Sequence, residues 1–148
     1  MKKEILKNEE NEGITIIALV ITIIVLLILA GVTIAMLTGD NGILTKTNQA
    51  KTNTSKGEAA DKINMALNAE YANILSDGKM SGASDSAIAT ADEIAKTNGI
   101  TTSEFNIQPG TSMTGETVLT ITSTTYSDVS GKITYKNGKY EVQKAEVK

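Results

Sequence analysis

The chain has 148 residues and a formal net charge of −3, and 41% of its residues are hydrophobic. It contains no Cys, His, Trp or Arg, which excludes disulfides, thiolate nucleophiles, Cys/His metal sites and histidine proton relays. Its 14 basic residues are all scattered lysines and only 3% of the chain is aromatic, which argues against direct nucleic-acid binding.

The first segment, residues 1–13 (MKKEILKNEENEG), is short and strongly polar and ends in Gly13. Its three lysines stand against Glu4, Glu9, Glu10 and Glu12, so it lacks the cationic excess of a typical cytoplasmic flank. The next segment is of a different kind. Residues 14–37 read ITIIALVITIIVLLILAGVTIAML, with Thr15, Thr22 and Thr33 as the only polar side chains. As a helix this run reaches ~36 Å, enough for a hydrocarbon core of ~30 Å with some tilt. Threonine is tolerated there because its hydroxyl can bond a carbonyl one turn back. The run is longer than the apolar part of a cleaved secretory signal. It is not a lipoprotein signal either, since Val32 stands where Leu29-Ala30-Gly31 would need a following Cys. A membrane-spanning helix is the expectation.

A polar leader ending in Gly13, directly ahead of the apolar stretch, resembles the prepilin signal of type IV pilins and type II secretion pseudopilins. The similarity runs through GITIIALVITIIVLLILAGVTIAMLTGDNGIL, Gly13 to Leu44, which closely resembles a pilin-like group in Gram-positive bacteria with AT-rich genomes. The resemblance implies that an inner-membrane prepilin peptidase cuts between Gly13 and Ile14 and N-methylates Ile14. It also implies assembly with copies of itself or other pilins by a platform protein and an ATPase. Two positions depart from the family pattern. The fifth mature residue, commonly Glu, is Ala18, and the residue before the cleavage glycine, commonly basic, is Glu12. The missing Glu favours a minor pilin, a tip-like pseudopilin or a divergent subunit.

Physical chemistry gives the apolar rod a reason to polymerise. A helix apolar on all sides is stable in lipid, and outside lipid it must bury its circumference against other helices. Head-to-tail packing that does not close gives an open helical polymer. Ala18, Gly31 and Ala35 are small enough for close helix approach, and Gly31-xxx-Ala35 has the small-xxx-small spacing.

Residues 38–45 contain Gly39-Asp40-Asn41-Gly42, a break in which Asp40 or Asn41 could cap a new helix. The Asp-Asn-Gly triplet alone is no calcium loop, which needs more ligands at fixed spacing. Residues 46–76 are first polar all round, as a solvated helix or a linker up to Gly57. They then become amphipathic, with Ala59, Ile63, Leu67, Tyr71 and Ile74/Leu75 forming a core stripe that would include Met65. Residues 77–148 form the expected head. Asp77-Gly78 ends the helix and Ser81–Ser86 is a loop. Residues 86–98 make a short helix capped by Ser84 or Asp85 and stopped by Gly99. A strand is expected within 100–107, before a turn at Pro109-Gly110, and another over 117–126. Residues 132–135 and 139–143 flank Asn137-Gly138, a type I′ hairpin signal. The fold class is therefore α+β: a long N-terminal helix, half apolar and half amphipathic, with a small C-terminal antiparallel sheet.

No phosphate loop, dinucleotide fingerprint, nucleophile elbow or zinc spacing occurs. Asp92-Glu93 point about 100° apart on a helix and do not converge. The Ser84-Asp85-Ser86 run and the threonines Thr120, Thr122, Thr124 and Thr125 read as solvated surface. No residue takes a catalytic, cofactor or metal role. The sequence points to a structural filament subunit serving adhesion, motility, secretion or DNA uptake, inserted with its N-terminus cytoplasmic and its head outside. An uncleaved, single-pass anchored binding or sensor protein is the alternative.

Overall fold

The computed structural model describes residues 2–82 and 88–147, with side chains from residue 15 onward. The elements are helices α1 (Lys2–Thr38), α2 (Ile43–Asp77) and α3 (Ala91–Asn98), then strands β1 (Phe105–Pro109), β2 (Thr117–Ser123), β3 (Ser130–Lys136) and β4 (Lys139–Gln143). The arrangement is α+β, with the apolar helix at the N-terminus and the sheet at the C-terminus. The chain divides into two compact units, Met1–Ala50 and Lys51–Lys148.

In the first unit the threonine hydroxyls of α1 turn back onto the helix. Thr22 Oγ1 donates to Leu19 O at 2.7 Å and Thr33 Oγ1 to Leu29 O at 2.7 Å. Neither therefore brings an unsatisfied donor to the apolar surface. The helix stops at Gly39, whose N–H still bonds Ala35 O at 3.1 Å, and resumes at Ile43, within the expected break. The turn is closed by Gly42 N–H donating to Gly39 O at 2.6 Å and by Thr45 Oγ1 donating to the same carbonyl at 3.1 Å. Among the described residues neither Asp40 nor Asn41 caps α2, because a backbone turn already satisfies its start. The polar residues 46–57 are helical rather than a linker. They lie between stronger helical segments, and helix growth from an existing turn is far cheaper than a new nucleus.

In the second unit the sheet order is β1-β2-β3-β4, with every neighbouring pair antiparallel. Registers Ile107↔Ile121, Leu119↔Ile133 and Ile133↔Val142 put these side chains on one face, since alternate residues share a face. That face packs with Ala60, Ile63, Ala66, Leu67 and Ile74 of α2 and Ile94 of α3 in one buried cluster. At Gly131 of β3 a side chain of α2 comes close to the strand backbone. A Cβ there would lie 2.6 Å from Leu67 Cδ1 and 3.0 Å from Ala145 N, so any larger residue would force the buried Leu67 side chain to move. Val118, fully buried, stands at an irregularity between β2 and β3. Gln108 and Pro109 continue β1 two residues past the expected strand, and an edge strand permits the proline.

Three expectations are corrected. Leu75 and Met65 are exposed, at 62% and 73%, so neither belongs to the core stripe. The helix expected from residue 86 begins at Ala91. Its cap is Thr90, whose hydroxyl accepts from Glu93 N–H while the Glu93 carboxylate accepts from Thr90 N–H at 2.8 Å. A reciprocal capping box outcompetes a start further upstream. Ser84, Asp85 and Ser86, expected as cap and loop residues, lie outside the described residues. The hairpin expectation holds: Asn137 at φ 54° and Gly138 at φ 78° join β3 to β4 in two residues, the type I′ pattern.

Candidate functional site

The largest uncommitted chemical feature is the surface of α1. Every described residue from Thr15 to Thr38 is exposed, including Leu27 at 68% and Met36 at 71%. This helix is long and apolar enough to cross a membrane. Isolated exposed apolar side chains are ordinary, but a helix apolar around its whole girth has no stable home in water. Ala18, Gly31 and Ala35 all lie on this exposed surface, and a Cβ built on Gly31 would meet nothing within 4 Å. Gly31 and Ala35 are four residues apart on one helix and so share a face. Gly13 and Ile14, the proposed processing positions, belong to the α1 backbone range, while their side chains lie outside the described residues. An open cleft of 730 Å³ lies where α1 ends, lined by Val32, Ala35 and Met36 on one side and Gly39–Ile43 on the other.

The head carries polar clusters that were weighed for chemistry. Asp92 and Glu93 do not converge: Glu93 is committed to the α3 cap. The Thr90 N–H and then the Thr90 hydroxyl hold its carboxyl below the ordinary glutamate range. Thr124 Oγ1 donates to Ser103 O and Glu104 O, both at 2.9 Å, so it ties loops rather than presenting a hydroxyl. Thr120 and Thr122 alternate with buried Ile121 and lie on the polar face of the sheet. No group of three or more acidic residues that could hold a metal ion occurs among the described residues.

One polar cluster escaped the sequence reading. Glu70 is fully buried in α2, where its carboxylate accepts from Ser81 N–H at 2.8 Å and from Asn98 Nδ2 at 2.6 Å. Asn98 Nδ2 also donates to Ile94 O at 2.8 Å, and Asn73 Nδ2 donates to Ser81 Oγ at 2.6 Å. The cluster joins α2, the chain after it and the end of α3. Beside it is an open cleft of 320 Å³ lined by Asn73, Asp77, Lys79, Met80, Ser81, Gly82 and Thr97. Position 70 shares a side of α2 with the buried positions 63, 67 and 74, but nothing local tells a buried glutamate there from a solvated one. A second polar hook was equally invisible. The Asn64 side-chain amide donates to Ala145 O at 3.1 Å and accepts from Ala145 N–H at 2.8 Å. Among the described residues no buried side-chain nitrogen or oxygen is left without a partner, which suits clusters that hold a fold together.

Compared with family models, curated proteins and solved structures, the chain matches none.

Proposed function

We propose that this chain is a structural subunit of a type IV pilus-like or pseudopilus filament, without catalysis of its own. In this reading a prepilin peptidase cuts after Gly13, and the subunit waits in the membrane with its N-terminus cytoplasmic and its head outside. A platform protein and an ATPase then drive assembly, in which the α1 surface is buried against copies of itself or other pilins. The observation that carries the proposal is the unbroken exposed apolar girth of α1 immediately after a polar leader ending in glycine. The buried polar side chains of the head, all partnered among the described residues, support a packing role over a chemical one.

Mass spectrometry of the protein recovered from cells tests the proposal. A mature N-terminus at Ile14, methylated or not, is the expected result, in material that shears from cells as filaments. An intact Met1 on protein released only by detergent would overturn it and identify an uncleaved anchored protein.

A further inference from the structure

The chain contains three Asn-Gly pairs, Asn41-Gly42, Asn98-Gly99 and Asn137-Gly138. Asn-Gly is the dipeptide most open to self-modification, because the glycine N–H is unshielded by any side chain. The glycine nitrogen attacks the asparagine Cγ, forming an N–Cγ bond. The Cγ–Nδ2 bond then breaks, and ammonia leaves with the proton lost by the glycine nitrogen. Water opens the resulting five-membered imide at either carbonyl, giving an aspartyl or an isoaspartyl residue. The step is redox-neutral, consumes only water and is accelerated by hydroxide.

The structure separates the three pairs by what holds each reactant. At Asn41-Gly42 the nucleophile is engaged, since Gly42 N–H donates to Gly39 O at 2.6 Å and Gly42 is buried. At Asn98-Gly99 both reactants are engaged. Gly99 N–H bonds Ala95 O, and the Asn98 amide is held by Glu70 at 2.6 Å and Ile94 O at 2.8 Å. At Asn137-Gly138 neither is engaged: both residues are exposed, and among the described residues no hydrogen bond holds the Asn137 amide or the Gly138 N–H. The pair also sits at a hairpin tip, where brief local opening needs the least free energy.

We infer that Asn137 is a self-modification site of this protein, converting to aspartyl and isoaspartyl forms while Asn41 and Asn98 are protected by the fold. The two products differ in effect. Asp-Gly supports the same type I′ turn, so the aspartyl form keeps the hairpin. The isoaspartyl form routes the backbone through the β-carbon and lengthens a turn that has room for two residues only. The adjacent pairs Lys136↔Lys139 and Tyr135↔Tyr140 then lose their register.

The test is incubation of the intact, detergent-solubilised chain in mildly alkaline buffer, followed by cleavage after glutamate and mass spectrometry. Fragment 117–141 contains Asn137 and no other asparagine, so an amide-to-acid mass gain there reports this site alone. Conversion at Asn137 is expected to run roughly tenfold or more faster than at Asn98 in the folded chain, with the difference collapsing in urea. An isoaspartate-specific methyltransferase should label the same fragment, and N137Q should abolish the labelling. Asn41 or Asn98 converting first, or equal rates at all three in the folded chain, would overturn the assignment. So would an intact Asn137 after an unstructured Asn-Gly peptide in the same buffer has fully converted.

Discussion

At the scale of single residues, Glu70 shows how a buried charge-bearing side chain is kept. It sits at a position that heptad-like spacing reserves for an apolar residue, and each carboxylate oxygen is matched to a donor from a different part of the chain. A buried acceptor in that position is tolerable only while both donors remain, since the unmade bond is what destabilises. E70Q presents an NH₂ group toward either the Ser81 N–H or the Asn98 amide, setting donor against donor. The expected loss is about 1–3 kcal/mol, read as a lower denaturation midpoint by circular dichroism. An unchanged midpoint would show that the cluster rearranges without penalty. Asn64 works by the same rule with a neutral group: its amide presents a donor and an acceptor to the Ala145 peptide, as a neighbouring strand would. Lys56 and Lys62 reach Asp128 and Glu104 across the head surface, and these exposed pairs add little.

Among the elements, α3 is a short helix whose existence depends on its ends. Its capping box makes it sensitive to acid with a definite sign. The Glu93 carboxyl is held low in the fold by the Thr90 N–H and hydroxyl, so its stabilising contribution is complete above the ordinary glutamate range. That contribution disappears as pH falls through the depressed folded value. The protection of α3 amides, taken relative to an unstructured peptide at the same pH, should therefore fall in acid in the natural chain, and in E93Q it should start low and lose that acid dependence. Tyr140 moves the opposite way: burial and then the neighbouring Tyr135 raise its phenol, so its neutral form is favoured and stability is lost at alkaline pH.

The elements also show what was legible in the sequence. Apolar periodicity and turn chemistry are local, so the apolar helix, the break near Gly39–Gly42 and the Asn137-Gly138 hairpin could all be read from residues close together. The start of α3 was misread because Ser84 and Asp85 are good caps in isolation, while Thr90 wins through a glutamate three residues on. The exposure of Leu75 and the burial of Glu70 could not be read, because both depend on which side of α2 meets the sheet. Gly131 is similar. As a strand glycine it looks like a weakness, and only the position of Leu67 explains it. The α1 surface was the most legible candidate of all, since twenty-four nearly uninterrupted apolar residues need no tertiary information to be recognised.

For the whole molecule, the decisive contrast is between a head whose described buried polar side chains are all satisfied internally and a helix whose apolar surface is exposed along its whole described length. If α1 packs against other helices, the small residues set how closely they approach. G31L and A35L should leave the amount of membrane-inserted subunit unchanged and lower the yield of sheared filaments several-fold, measured by immunoblot of the two fractions. Equal filament yield would mean that this face is turned away from its neighbours. The aromatic residues, by contrast, are confined to one unit. The chain has no Trp, and its four tyrosines, Tyr71, Tyr126, Tyr135 and Tyr140, all belong to the unit Lys51–Lys148. Tyr135 and Tyr140 meet with ring centroids 4.8 Å apart and planes tilted by 52°, on either side of the hairpin turn. Tyrosine absorption in the near ultraviolet and tyrosine emission therefore come from the unit Lys51–Lys148 alone. In a detergent micelle, a vesicle or an intact filament, the intrinsic light of this protein reports the state of that unit while the apolar helix stays dark.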